Sequence, residues 1–145
     1  MNNANLALVQ DLYAAFGRGD IAVIFGALDP NCRWEAVGRT SDFPTLGARK
    51  GRGAVQGFFD GLQQHLNLSE FSPREFLVAD DKVVVLGHWA VTVKRTGRAM
   101  ASDWVHVFTL RGGQVVGFRA FSDTAKLAEA WRGEPAAANF NIIHA

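Results

Sequence analysis

Apolar positions recur every three to four residues at the start of the chain: Leu8, Val9, Leu12, Tyr13 and Phe16 share one face of a helix expected over residues 4–17. Gly17 and Gly19 end that helix, and Asp20 is placed to cap a short second one carrying Ile21, Ile24, Phe25 and Leu28. Pro30 and Asn31 break the pattern, and residues 32–37 read as a short strand. Residues 38–53 are rich in glycine, arginine and turn formers, with Phe43 and Leu46 as their only large apolar side chains, and read as a long connector. A third amphipathic helix is expected over residues 54–68, with Val55, Phe58, Phe59, Leu62 and Leu66 on one side.

The second half changes to strand and turn. Residues 71–79, 82–94, 98–111 and 114–122 are separated by Asp80-Asp81, Thr96-Gly97 and Gly112-Gly113, all tight-turn pairs. Asp123 then caps a last helix over residues 124–131. Helices followed by an antiparallel meander give an α+β domain over residues 1–132, with a C-terminal tail over 133–145. A two-residue turn at Thr96-Gly97 sets Trp89 opposite Trp104, Gly87 opposite His106 and His88 opposite Val105. A three-residue turn around Gly112-Gly113 sets His106 opposite Phe118 and Trp104 opposite Ala120, whereas a two-residue turn shifts the register by one and flips the last strand. The uncharged run Val116, Phe118, Ala120, Ser122 favours the three-residue choice.

The face turned to the helices then carries Gly87, Trp89, Val91, Trp104, His106, Phe108, Phe118 and Ala120, and Trp34 joins them. Such a cluster fits a solid aromatic core, and it fits equally the lining of a cavity opened by Gly87 and Ala120.

Composition adds mainly exclusions. In 145 residues, 48% hydrophobic and 20% charged, fifteen basic side chains face fourteen acidic ones for a net charge of +1. No global field attracts nucleic acid or an anionic membrane, so neither is an expected partner. The single Cys32 excludes an internal disulfide. No signal peptide is expected at the start, and no run approaches the ~20 apolar residues of a membrane span, which makes the cytoplasm the default setting. No His or carboxylate pair shares a face at ligand spacing, so no metal is expected, and no cofactor motif is present.

The stretches LYAAFGRGDIAVIFGALDPNCRW, KGRGAVQGFF and DWVHVFTLRGGQVVGFRAFSDTAKL, in this order, resemble the nuclear transport factor 2-like superfamily, and within it SnoaL-like, ketosteroid isomerase-related proteins. The resemblance spans roughly Leu6 to Trp131. It implies a cone-shaped curved antiparallel β-sheet with three N-terminal helices on its concave face, a deep cavity, and a homodimer built on the outer sheet face. The superfamily holds isomerases, epoxide hydrolases, cyclases, dehydratases and non-enzymatic binders, so it implies no single reaction. Steroid isomerases place a carboxylate base at the position of Ala36 here, or at Glu35 if shifted by one. Their oxyanion-stabilising acid falls at His106 and their helix-one tyrosine at Leu12, beside Tyr13. The Asp-Arg-Asp set of limonene-epoxide-hydrolase-like members falls at Gly87, Trp89 and Ala120, with Trp34 and Ala36 where their tyrosine and asparagine would sit. The aspartate of SnoaL-like cyclases again falls near Ala120. None of these catalytic sets is intact.

His106 is the sharpest polar feature of the inner face. In an apolar cavity its charged form is disfavoured, leaving a base, a hydrogen-bond donor, or a core histidine satisfied by an indole or a tyrosine hydroxyl. Simple alternation turns Glu35 outward. Asp103, His88 and Arg119 fall on the outer face and read as an ion-paired patch within a dimer interface. His65 ends a helix, and His144 lies in the tail. GARKGRG lacks the spacing of a phosphate loop, and Arg39, Arg49, Lys50 and Arg52 read as a solvated face, with Phe43 and Leu46 as a lid over the cavity mouth.

The expected ligand contacts are therefore Tyr13, Trp34, Trp89, Trp104, His106, Phe108 and Phe118, with His106 as the catalytic candidate. The expected ligand is a small hydrophobic or aromatic molecule. The expected function is binding of that molecule, with cofactor-free isomerase-, cyclase- or dehydratase-like proton transfer if the protein is an enzyme. A non-catalytic binder and a dimerisation module are the alternatives.

Overall fold

The computed structural model of the protein describes residues 3–133; the expected tail beyond Gly133, with His144, lies outside the described residues. The order is α1 (Asn3–Arg18), α2 (Ile21–Gly26), β1 (Leu28–Ala36), β2 (Gly47–Lys50), α3 (Arg52–His65), β3 (Leu66–Ala79), β4 (Lys82–Val93), β5 (Ala99–Arg111), β6 (Gln114–Ser122) and α4 (Thr124–Arg132). The six strands form one curved sheet in the order β2-β1-β6-β5-β4-β3. It is antiparallel except for the β1–β6 pair, which is parallel, and it is unclosed, with β2 and β3 at its edges. The α+β class and the curved sheet wrapped by helices stand. None of the described helices is long and apolar enough to cross a membrane.

The caps foreseen at Asp20 and Asp123 form: their carboxylates accept from the backbone N–H of Val23 and Lys126. Gly133, left-handed at φ 71°, ends α4. β1 begins earlier than expected and runs through Pro30, which sits where the pairing of β1 with β6 slips between Leu28 and Arg33 and so needs no N–H there. Four residues of the expected connector, Gly47–Lys50, form β2 against Arg33–Ala36. β3 starts at Leu66, inside the span expected to be helical. Its bulges at Leu68/Glu70 and Pro73/Glu75 bend this edge strand, and the edge position tolerates Pro73.

Both expected registers are corrected by two residues. The β4–β5 connection is a four-residue loop, Lys94–Gly97, closed by Val93 N–H donating to the Arg98 carbonyl and Gly97 N–H to the Val93 carbonyl. Gly87 therefore faces Trp104, His88 faces Asp103, Trp89 faces Ser102, and His106 faces Val85. The β5–β6 turn is the two-residue Gly112-Gly113 turn, both glycines at positive φ, 58° and 78°. A bulge between Thr109 and Leu110 then restores the original face, so that His106 faces Ala120, Trp104 faces Ser122 and Phe108 faces Phe118. A shift of two preserves the side-chain face, which is why the set of inner-facing residues survives the correction.

Val9 and Ala15 of α1, Val55 of α3, Val83, Val85 and Val91 of β4, Val115 of β6 and Leu127 of α4 are fully or almost fully buried in one core. The arginine-rich segment is not simply a solvated face. Arg52 donates from Nε and Nη2 to the Leu28 carbonyl, Arg49 donates to the Ala54 carbonyl, and Arg39 pairs with Asp42. These bonds fix the path that carries Phe43, Thr45 and Leu46 onto the core.

Candidate functional site

Alternation along β4, β5, β6 and β1 turns Trp89, Trp104, His106, Phe108, Phe118, Ala120, Trp34 and Ala36 toward the helices. Opposite them, α1 supplies Leu12, Tyr13 and Phe16, and α3 supplies Phe58, Phe59 and Leu62. Leu46 and Thr45 come from the connector and Leu127 from α4. Between these walls lies a cavity of about 110 Å³, and among the described residues none that lines it is Asp, Glu, Lys or Arg. All seven expected contact residues, including Tyr13, line it. Phe43 does not; it packs edge-on against Trp131 and His65, so only Leu46 of the expected lid reaches the cavity. The helical side of the lining was legible as apolar faces, but its convergence with Phe71 on one space depends on tertiary placement.

The place of Gly87 is corrected with the register. Its missing side chain does not open space beside His106, because the Trp104 indole fills it: a Cβ at Gly87 would lie 2.2 Å from Trp104 Cζ2. From there a continuous ring stack crosses the wall. Trp104 lies on His106 at 3.9 Å between centroids, His106 meets Phe118 edge-on at 4.9 Å, and Phe118 stacks on Trp34 at 3.9 Å.

The polar centre of this wall is a pair. Tyr13 from α1 places its hydroxyl 2.7 Å from His106 Nδ1. Burial pushes the imidazole from its ordinary 6.5 down to about 3 and pushes the phenol up, so both are neutral at ordinary pH. His106 is half-buried and lines the cavity, where burial sets its charge. A phenol is the better donor and an unprotonated ring nitrogen the better acceptor. This assigns Tyr13 O–H donating to Nδ1 and puts the imidazole proton on Nε2. A conjugate acid so far below neutral makes a weak general base. The sequence left His106 as base, donor or satisfied core residue; the geometry favours a satisfied imidazole with one N–H to offer.

Three further donors sit on lining residues but are themselves buried. The indole N–H groups of Trp34, Trp89 and Trp104 are shut off from bulk solvent and have no acceptor among the described residues. An unsatisfied buried donor costs about 1–3 kcal/mol.

Glu35 points outward and pairs with Arg119 at 3.1 Å, while Ala36 takes the inward position. His88 Nδ1 lies 2.8 Å from Asp103 Oδ1 on the outer face, where the Asp103 side chain is 86% exposed. The expected outer cluster is thus two separate pairs. His65, the last residue of α3, meets Trp131 and Phe43 edge-on. Among the described residues no three His, Cys, Asp or Glu side chains gather as a metal site.

Comparison with known proteins gives the same architecture. An NTF2-like protein of unknown function from Burkholderia pseudomallei is 30% identical, with a TM-score of 0.78 over 88% of this chain and 96% of that one. One from Burkholderia xenovorans is also 30% identical, with a TM-score of 0.80 over 88% and 95%. TerC, in a crystal grown with polyporic acid, is 27% identical, with a TM-score of 0.79 over 89% of this chain and 98% of TerC. No curated protein matches the chain. The SnoaL-like domain matches residues 9–118, and the chain belongs to that family.

Proposed function

We propose that this protein binds one small, mainly apolar, ring-sized molecule in the cavity between the sheet and α1 and α3. The observation that carries this reading is the cavity itself: about 110 Å³, walled by aromatic rings, with no charged lining residue among the described residues, and with the neutral Tyr13–His106 pair in its wall. An apolar cavity of about 150 Å³ holds benzene, which sets the scale of the occupant. That a relative 27% identical has been co-crystallised with polyporic acid supports a small organic ligand.

Binding is favoured over proton transfer because no carboxylate among the described residues lines the cavity and His106 is a weak base. The catalytic reading keeps one specific support: the Tyr13–His106 pair is a neutral donor in a mainly apolar cavity, able to polarise a carbonyl in an isomerase- or cyclase-like reaction. The test is turnover of a bound ligand by His106→Ala and Tyr13→Phe. Unchanged binding with no turnover in any form supports the binder, and turnover lost with either substitution supports the enzyme. The outer face, where Val84, Leu86, Val105 and Val107 are half-buried, is the surface proposed to meet a second copy. Sedimentation as a monomer at micromolar concentration would exclude that dimer.

A further inference from the structure

The two edges of the sheet are guarded unequally. β2 is short and carries Arg49 and Lys50, a length and a charge that discourage pairing with another strand. At the other edge, the first part of β3 is bent by its bulges and interrupted by Pro73. Its last stretch, Glu75–Ala79, pairs with β4 without a bulge, contains no proline and has Glu75 as its sole charge. Leu77 and Val78 are 52% and 36% exposed there, and with Val23 they are the exposed large apolar side chains among the described residues. The hairpin register fixes which backbone groups are free. Ala79 faces Lys82 across the Asp80-Asp81 turn, so Ala79 and Leu77 bond to β4, while the N–H and C=O of Phe76 and Val78 point to the open side. Among the described residues no strand lies on that side.

We propose that Glu75–Ala79 pairs antiparallel with the same segment of a second copy of the chain, about a two-fold axis at Leu77. Phe76 then exchanges both backbone hydrogen bonds with the partner's Val78, and Leu77 meets the partner's Leu77 on the outer face. Charge complementarity selects this occupant. At each end Arg74 comes toward the partner's Asp80, and Glu75 faces the partner's Ala79, so no like charges are opposed. Arg74 gives Nη2 to Glu70 and keeps further N–H donors for that contact. An axis at Glu75 would oppose two carboxylates, and pairing with β2 of another copy would meet Arg49 and Lys50. The edge contact is separate from both the cavity and the outer face, because Val78 lies opposite the fully buried Val83 and turns inward with it.

The test uses the full chain, by sedimentation velocity and by amide exchange followed in NMR, from about 10 µM to about 1 mM, the range suited to so short an interface. Expected is association that grows with concentration, with slowed exchange of the Phe76 and Val78 amides over the same range. Val78→Pro removes an outward N–H and no bond to β4, and should weaken association by about tenfold or more. Leu77→Lys sets two ammonium groups on Cβ atoms about 5 Å apart across the axis, and should weaken it as far, more at low salt than at high. Because Leu77 is half exposed, its variant folds and carries the test, with the amide readout, should Val78→Pro not fold. Exchange of the two amides that does not change with concentration overturns the proposal; slow exchange throughout would mean that the chain covers its own edge. A folded Val78→Pro protein that associates within about twofold of the parent also overturns it and assigns the contact to another surface, such as the outer face.

Discussion

A Gly87→Ala substitution would place its Cβ 2.2 Å from Trp104 Cζ2 and 2.5 Å from both Cε2 and Cη2. The far end of a flexible side chain would yield, but this indole is held on both sides. It stacks at 3.9 Å on His106 and at 5.0 Å on Phe71, and it is 3% exposed. The added methyl must therefore displace the ring stack or push β4 from β5. Overpacking of this kind costs about 1–3 kcal/mol, against a gain of about 0.5–1 kcal/mol from replacing a strand glycine. Because the clash meets a wedged ring, the upper part of the range applies and the net loss is about 2 kcal/mol. For a chain of this length that is a fall in Tm of about 6–10 °C. Urea and thermal unfolding followed by circular dichroism measure it. Gly53→Ala, with nothing within 4 Å of the added Cβ, is the control of opposite sign and should gain about 0.5 kcal/mol. In a Trp104→Phe background the cost of Gly87→Ala should shrink, because the smaller ring leaves room. A Gly87→Ala protein within 0.5 kcal/mol of the parent would refute the Gly87–Trp104 packing and the register behind it.

Other outcomes follow from the same geometry. Tyr13→Phe leaves His106 Nδ1 without its partner and should cost about 1–2 kcal/mol in urea unfolding. His106 is lowered from 6.5 to about 3 in the folded chain, so below about pH 6.5 only the unfolded chain takes up its proton. Stability is then full above that pH and declines as pH falls toward 3, with a slope contribution of up to about 1.4 kcal/mol per unit that His106→Phe removes. Glu35→Gln breaks only a surface pair with Arg119 and should change stability by less than about 0.5 kcal/mol, without altering ethylbenzene uptake.

How far the sequence reaches is visible in the registers. The inner face was legible because alternation identifies it, and both turn errors amounted to two residues, an even number. Which residue fills the gap at Gly87 was not legible, since that depends on the loop at Lys94–Gly97 having four residues and not two. β2 escaped notice because a four-residue strand, Gly-Ala-Arg-Lys, has too few apolar positions to show a period. Leu66 continued the apolar spacing of α3 even though the chain turns extended there, and tertiary pairing with Val93 decides the matter. The Tyr13–His106 bond joins residues 93 positions apart, and no local pattern encodes it. The outward turn of Glu35 was legible from alternation with Trp34, and its partner Arg119 was not.

The central claim, that the cavity holds a small molecule, is tested most directly by native mass spectrometry of freshly purified protein beside an Ala120→Phe variant that fills the cavity. One small organic molecule per chain is expected in the unsubstituted protein, absent or strongly depleted in the variant. Bare protein in both forms, with no uptake of acetophenone or ethylbenzene by either, would contradict it.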